Sequence, residues 1–106
     1  MTVEQVAFRQ LCQQWGFPMP VCEYQFAREA LGREWRLDYS WVDEKVGLEV
    51  DGAIWVKGRH TRGSGWLKDS DKLNSAAQLG WKMLRCTPQQ LHTDYLRPYL
   101  TPLLLP

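Results

Sequence analysis

Asp38, Glu49 and Asp51 are the residues of this chain whose types and spacing best suit chemistry. Residues 35–41 alternate, with Leu37, Tyr39 and Trp41 on one face and Asp38 and Ser40 on the other. Residues 45–51 repeat the pattern, setting Val46, Leu48 and Val50 against Gly47, Glu49 and Asp51. If the two stretches are neighbouring strands, their polar faces come within about 5 Å of each other. Three carboxylates converging there repel one another unless a cation neutralises them. A hard divalent ion suits the position, because Mg²⁺ prefers carboxylate and water oxygens. The plainer alternative is that each acid faces water on the open side of a sheet. Gly52, directly after Asp51, favours a ligand, since glycine lets one approach the backbone closely.

A second constellation follows at once. From Gly52 to Lys68 the chain carries Lys57, Arg59, Arg62 and Lys68, one histidine, His60, and no acid. A basic, glycine-rich run beside a carboxylate cluster suits a polyanion held against a metal. A solvated surface loop has the same composition, so the run points to phosphate only through its proximity to the acids.

The elements that must position these residues can be read from period and capping. Thr2, three residues before Gln5, opens a helix with the spacing of a capping box, and Val3, Val6, Ala7, Leu11 and Trp15 follow at helical period. Gly16 closes it, and Phe17-Pro18-Met19-Pro20 prevents continuation. Residues 21–26 read as a short strand, the two alternating stretches as the next two, and Asp43-Glu44 as the turn between them. Residues 66–79 return to helical period, with Trp66, Leu73, Ala76 and Ala77 on one stripe and Gly80 as C-cap. Trp81 to Cys86 is a fourth strand, and Thr87-Pro88-Gln89-Gln90 starts another helix. Helix, three strands, helix, strand, helix predicts an α/β fold: a small mixed β-sheet of three to four strands flanked by helices. The tail from Tyr95 to Leu105, broken by prolines, is expected to pack on the core or to serve as an interface.

With 106 residues, 44% of them hydrophobic and 24% charged, the whole chain, 1–106, is expected to form one globular domain. Cys12, Cys22 and Cys86 are odd in number and widely spaced, which argues against a disulfide framework and a zinc knuckle. No apolar stretch approaches the roughly 20 residues of a membrane span, and no signal peptide is visible. A cytoplasmic setting is expected, with no membrane partner.

Arg36-Leu37-Asp38-Tyr39, followed by Gly47-Leu48-Glu49-Val50-Asp51-Gly52, resembles the PD-(D/E)XK nuclease superfamily. The chain is most similar to the branch of the very short patch repair endonucleases and their phage and bacterial relatives. Leu79-Gly80-Trp81-Lys82-Met83-Leu84-Arg85 is similar to that branch's helix-to-strand segment, and Trp55 and His60 to its aromatic and histidine after the turn. The resemblance spans residues 21–90. It implies a metal-dependent endonuclease that hydrolyses phosphodiester bonds, with DNA as substrate. Asp38, Glu49, Asp51 and the Val50 carbonyl would hold Mg²⁺ or Mn²⁺; Lys57, Arg59, Arg62 and Lys68 would meet phosphates. Glu23 would be an accessory acid beside the metal's water. The chain departs from the superfamily at one place: Asp51 stands where its lysine belongs, two residues after the second acid. The lysine's role would pass to Lys72, to Lys68 or to His60. The alternative is a catalytically inactive nucleic-acid-binding module of the same fold. A chain this small grips little DNA alone, so a homodimer or a larger partner protein is expected.

Overall fold

The computed structural model describes residues 1–51 and 64–106, apart from the side chains of 64–68. Lys57, Arg59, His60 and Arg62 therefore lie outside the described residues, as does the side chain of Lys68. The elements run α1 (Val3–Gln14), β1 (Val21–Tyr24), α2 (Arg28–Leu31), β2 (Leu37–Trp41) and β3 (Val46–Val50). They continue with α3 (Ser64–Gln78), β4 (Lys82–Cys86), α4 (Pro88–Leu91), a 3₁₀ turn (Asp94–Leu96) and α5 (Arg97–Leu104). Four strands form one mixed sheet in the order β1-β2-β3-β4, flanked by helices, as the order of the sequence patterns requires.

One tight connection sets the β2–β3 pair. Lys45, at φ +54°, closes the β2–β3 turn, and its N–H donates to the Val42 carbonyl at 3.2 Å. β2 and β3 then pair through Tyr39↔Leu48, Ser40↔Gly47 and Trp41↔Val46. β4 joins β3 in parallel, in register Val46↔Lys82 through Val50↔Cys86. Parallel neighbours need a long crossover, and the segment containing α3 supplies it. Gly80, at φ +86°, lets α3 stop and the chain turn into β4, with the Trp81 N–H on the Ala76 carbonyl at 2.9 Å. The Lys45 ammonium donates to the Leu79 carbonyl at the same helix end, 3.0 Å away.

The helix caps are where local chemistry places them. Thr2 and Gln5 exchange both capping-box hydrogen bonds, and so do Thr87 and Gln90. The phase of the apolar stripes is different from the expectation. On α1 the buried residues are Phe8 and Cys12, whereas Val3 and Val6 are exposed. Phe8 wins because its ring meets Tyr39 at 4.7 Å and Trp41 at 6.2 Å, more contact than a valine can make. On α3, Ala77 and Leu73 face outward while Ala76 is buried and Leu79 packs against the core. The sheet-facing stripe is thus Lys72, Ala76 and Leu79, at i, i+4 and i+7.

Each face of the sheet has its own core. Phe8, Cys12, Tyr39, Trp41, Val46, Leu48, Cys86, Leu91, Leu96, Leu100 and Leu104 make one, joining α1, α4 and α5 to the sheet. The proline-broken tail is therefore largely a helix packed on this core, although Tyr95 and Tyr99 stay exposed. Phe26, Ala27, Leu37, Ala76 and Trp81 make the other, on the α3 side. Leu37 was expected beside Tyr39 and Trp41, but it packs in this second cluster. Ser40, expected on the same face as Asp38, is fully buried, and its hydroxyl has no hydrogen-bond partner among the described residues. Gly47 is required by this packing: a Cβ on it would lie 2.7 Å from the Met83 sulfur and 2.9 Å from a Leu37 methyl. The three cysteines are free, and burial pushes the Cys12 thiol up to about 12, so it is inert.

Candidate active site

The β2–β3 ladder stops at Tyr39↔Leu48, one residue short of the two acids. Beyond that point each strand's N–H turns to a carboxylate of the other. The Asp38 N–H donates to Glu49 Oε2 at 3.2 Å, and the Val50 N–H donates to Asp38 Oδ2 at 2.7 Å. The backbone polar groups that the parting strands would otherwise leave open are satisfied by side chains. Both acids are thereby held in the fork, half-buried, with little rotamer freedom.

α3 completes the site from the second face. Lys72, on its sheet-facing stripe, makes an ion pair and hydrogen bond with Glu49 Oε1. Only 20% of the Lys72 side chain and 16% of that of Glu49 are exposed. Burial pushes the Glu49 carboxyl above the usual carboxylate range, and the Asp38 charge adds to this. The Lys72 hydrogen bond and charge pull the other way. Glu49 has thus committed one oxygen to Lys72 and one to a backbone N–H, whereas among the described residues Asp38 Oδ1 has no partner.

A cleft of about 250 Å³ opens over this fork, lined by Asp38, Glu49, Val50, Asp51, Asp69, Lys72, Leu73 and Arg85. Asp51 follows the end of β3, its N–H on the Cys86 carbonyl at 2.9 Å. Four carboxylates against two cations leave the cleft acid-rich. Among the described residues no group of three or more His, Cys, Asp or Glu side chains is arranged to hold a metal ion. One or two carboxylates are nevertheless a common hard donor set for Mg²⁺, which keeps several of its waters. Asp38 and Glu49 supply such a pair of carboxylates at the fork.

Glu23, on β1, neighbours the fork by register. It stands opposite Asp38, between the paired residues Cys22↔Tyr39 and Tyr24↔Leu37, and holds φ at +57° inside a strand. A non-glycine residue there is strained by about 1–3 kcal/mol, and such strain is concentrated at functional positions. With Glu4, Asp38, Val50 and His92, Glu23 lines a neighbouring cavity of about 400 Å³, so Asp38 and Val50 form the wall between two clefts. Glu23→Gly is expected to relieve the strain, leaving stability unchanged or raised by about 1 kcal/mol in urea unfolding. If the carboxylate serves the site, the same variant loses activity despite its sound fold.

Asp69, Arg85, Glu4 and His92 were not singled out from the sequence. No local pattern marks them: Arg85 stands beside Glu49 only because β4 runs parallel to β3 in that register. Compared with family models, with curated proteins and with solved structures, the chain matches none of them.

Proposed function

We propose that this chain is a metal-dependent endonuclease of the PD-(D/E)XK kind, hydrolysing phosphodiester bonds in DNA. The single observation that supports this most is the fork itself. Two carboxylates are locked by reciprocal backbone hydrogen bonds where β2 and β3 part, and a helix-borne lysine reaches one of them. An acid-rich cleft would repel a polyanion, so a divalent cation must reconcile the two.

Asp38, Glu49 and the Val50 carbonyl would hold Mg²⁺ or Mn²⁺, with Asp51 beside them. A bound ion would supply Lewis acidity toward the phosphate and a lowered pKa for water. Lys72 takes the place of the superfamily's strand lysine. Its ammonium, now on Glu49, would orient the attacking water and stabilise charge developing on the phosphate. Glu23 helps orient that water. Arg59 and Arg62, with Lys57 and Lys68, contact flanking phosphates, and His60 is the competing proton-transfer group.

The test is cleavage of plasmid and short duplex DNA by the full chain with Mg²⁺, with Mn²⁺ and with chelator. Cleavage that appears with either metal and vanishes with chelator supports the proposal. DNA binding without cleavage under every metal would instead identify an inactive binding module, and neither activity would overturn both.

A further inference from the structure

Arg85 is a cation whose place in the cleft the metal-and-lysine scheme does not use. Parallel register sets it directly beside Glu49, and neighbouring residues at one register level point to the same face. It lines the cleft with Asp38, Glu49, Asp51, Asp69 and Lys72. Despite four carboxylates around the same opening, the Arg85 side chain makes no hydrogen bond or ion pair among the described residues. Glu49 turns instead to Lys72 and to the Asp38 N–H. Arg85 is exposed, so its donors are available to something entering from solvent.

We propose that Arg85 grips the non-bridging oxygens of the scissile phosphate, on the opposite side of Glu49 from the Asp38 fork; this rests on the nuclease proposal above. A planar guanidinium presents paired N–H donors that match two phosphate oxygens, which a lysine cannot do bidentately. Lys72 is already committed to Glu49, leaving Arg85 as the second cation of the cleft with its donors open. Phosphate contact there positions the substrate and stabilises charge as the bond breaks.

Single-turnover cleavage of one duplex should fall about 10²–10³-fold in Arg85→Ala, as when a preorganised donor to a developing charge is removed. Arg85→Lys should recover part of the rate, because charge survives where the fork does not. The salt dependence of duplex binding, measured with Ca²⁺ in place of Mg²⁺ so that the acids stay neutralised, should become shallower by about 0.9 in log–log slope for one lost phosphate contact. If Arg85→Ala cleaves within threefold of an active wild type, the assignment is wrong while the nuclease proposal stands. Equal loss in both variants with unchanged slopes would also overturn it, since Arg85 would then be acting on the fold. If the wild type binds DNA without cleaving, the nuclease proposal falls, and an unchanged slope in Arg85→Ala removes the phosphate contact as well.

Discussion

Asp38→Asn is expected to reduce metal-dependent cleavage to about a thousandth of the wild-type rate or less, a loss of several kcal/mol in transition-state stabilisation. Asparagine keeps an oxygen that can accept the Val50 N–H, now held by Asp38 Oδ2 at 2.7 Å, so the fork keeps its shape. The other oxygen becomes an NH₂ group, which cannot ligate a cation and repels one. Two stability effects oppose each other. A charge-assisted hydrogen bond is weakened, and repulsion of the neighbouring Glu49 carboxylate is removed. The urea midpoint should therefore move little. Rapid-quench cleavage with Mg²⁺ and Mn²⁺, Mn²⁺ titration and urea unfolding together check this. A variant that binds Mn²⁺ and cleaves like the wild type would remove Asp38 from the metal site.

Lys72→Ala has the second-largest expected effect, a fall of about 10²–10⁴-fold in single-turnover rate with DNA binding largely kept. Unlike Asp38→Asn, it should also destabilise the fold. It leaves the half-buried Glu49 carboxylate without its cation, a cost of about 1–3 kcal/mol at neutral pH. The pH dependence has a definite sign. The Glu49 carboxyl already sits above its ordinary 4.5, chiefly through burial, and removing Lys72 removes what pulls it down. An acid whose folded pKa is raised costs stability above that pKa, and the cost disappears below the unfolded value. The deficit of the variant against wild type should thus shrink as pH falls from 7 toward 4.5. Urea midpoints across that window measure it. His60→Ala, assayed beside it, separates the two candidates: a rate loss confined to His60→Ala would leave Lys72 as no more than the partner of Glu49.

The Lys72 assignment shows where sequence periodicity stops being informative. Lys68 and Lys72 are one turn apart, which suffices to put them on one face of a helix but not to say which face. A stripe drawn through Leu73, Ala76 and Ala77 would have turned Lys72 toward the edge. The structure rotates α3 so that Lys72, Ala76 and Leu79 meet the sheet, because small Ala76 lets the helix approach Trp81 and Phe26 closely. Phe8 rotates α1 in the same way. Hydrophobic period marks a helix, but packing against particular aromatic rings chooses its phase.

Local chemistry by itself determined the parts that depend on neighbours in the chain. The capping boxes at Thr2 and Thr87, the left-handed glycines at 16 and 80, the turn after Trp41 and the order of strands and helices are all of this kind. The alternation that sets Glu49 opposite Val46 and Leu48 is also local, since successive side chains of a strand must alternate. Only the tertiary structure decided that this polar face is covered by α3 rather than by water, and that β2 and β3 part where Asp38 and Glu49 can exchange backbone hydrogen bonds. It alone brought Arg85 beside Glu49 and strained Glu23 opposite Asp38. These are pairings between residues 11 or more positions apart, set by strand register and by how whole faces pack. No period of two or of 3.6 residues carries that information.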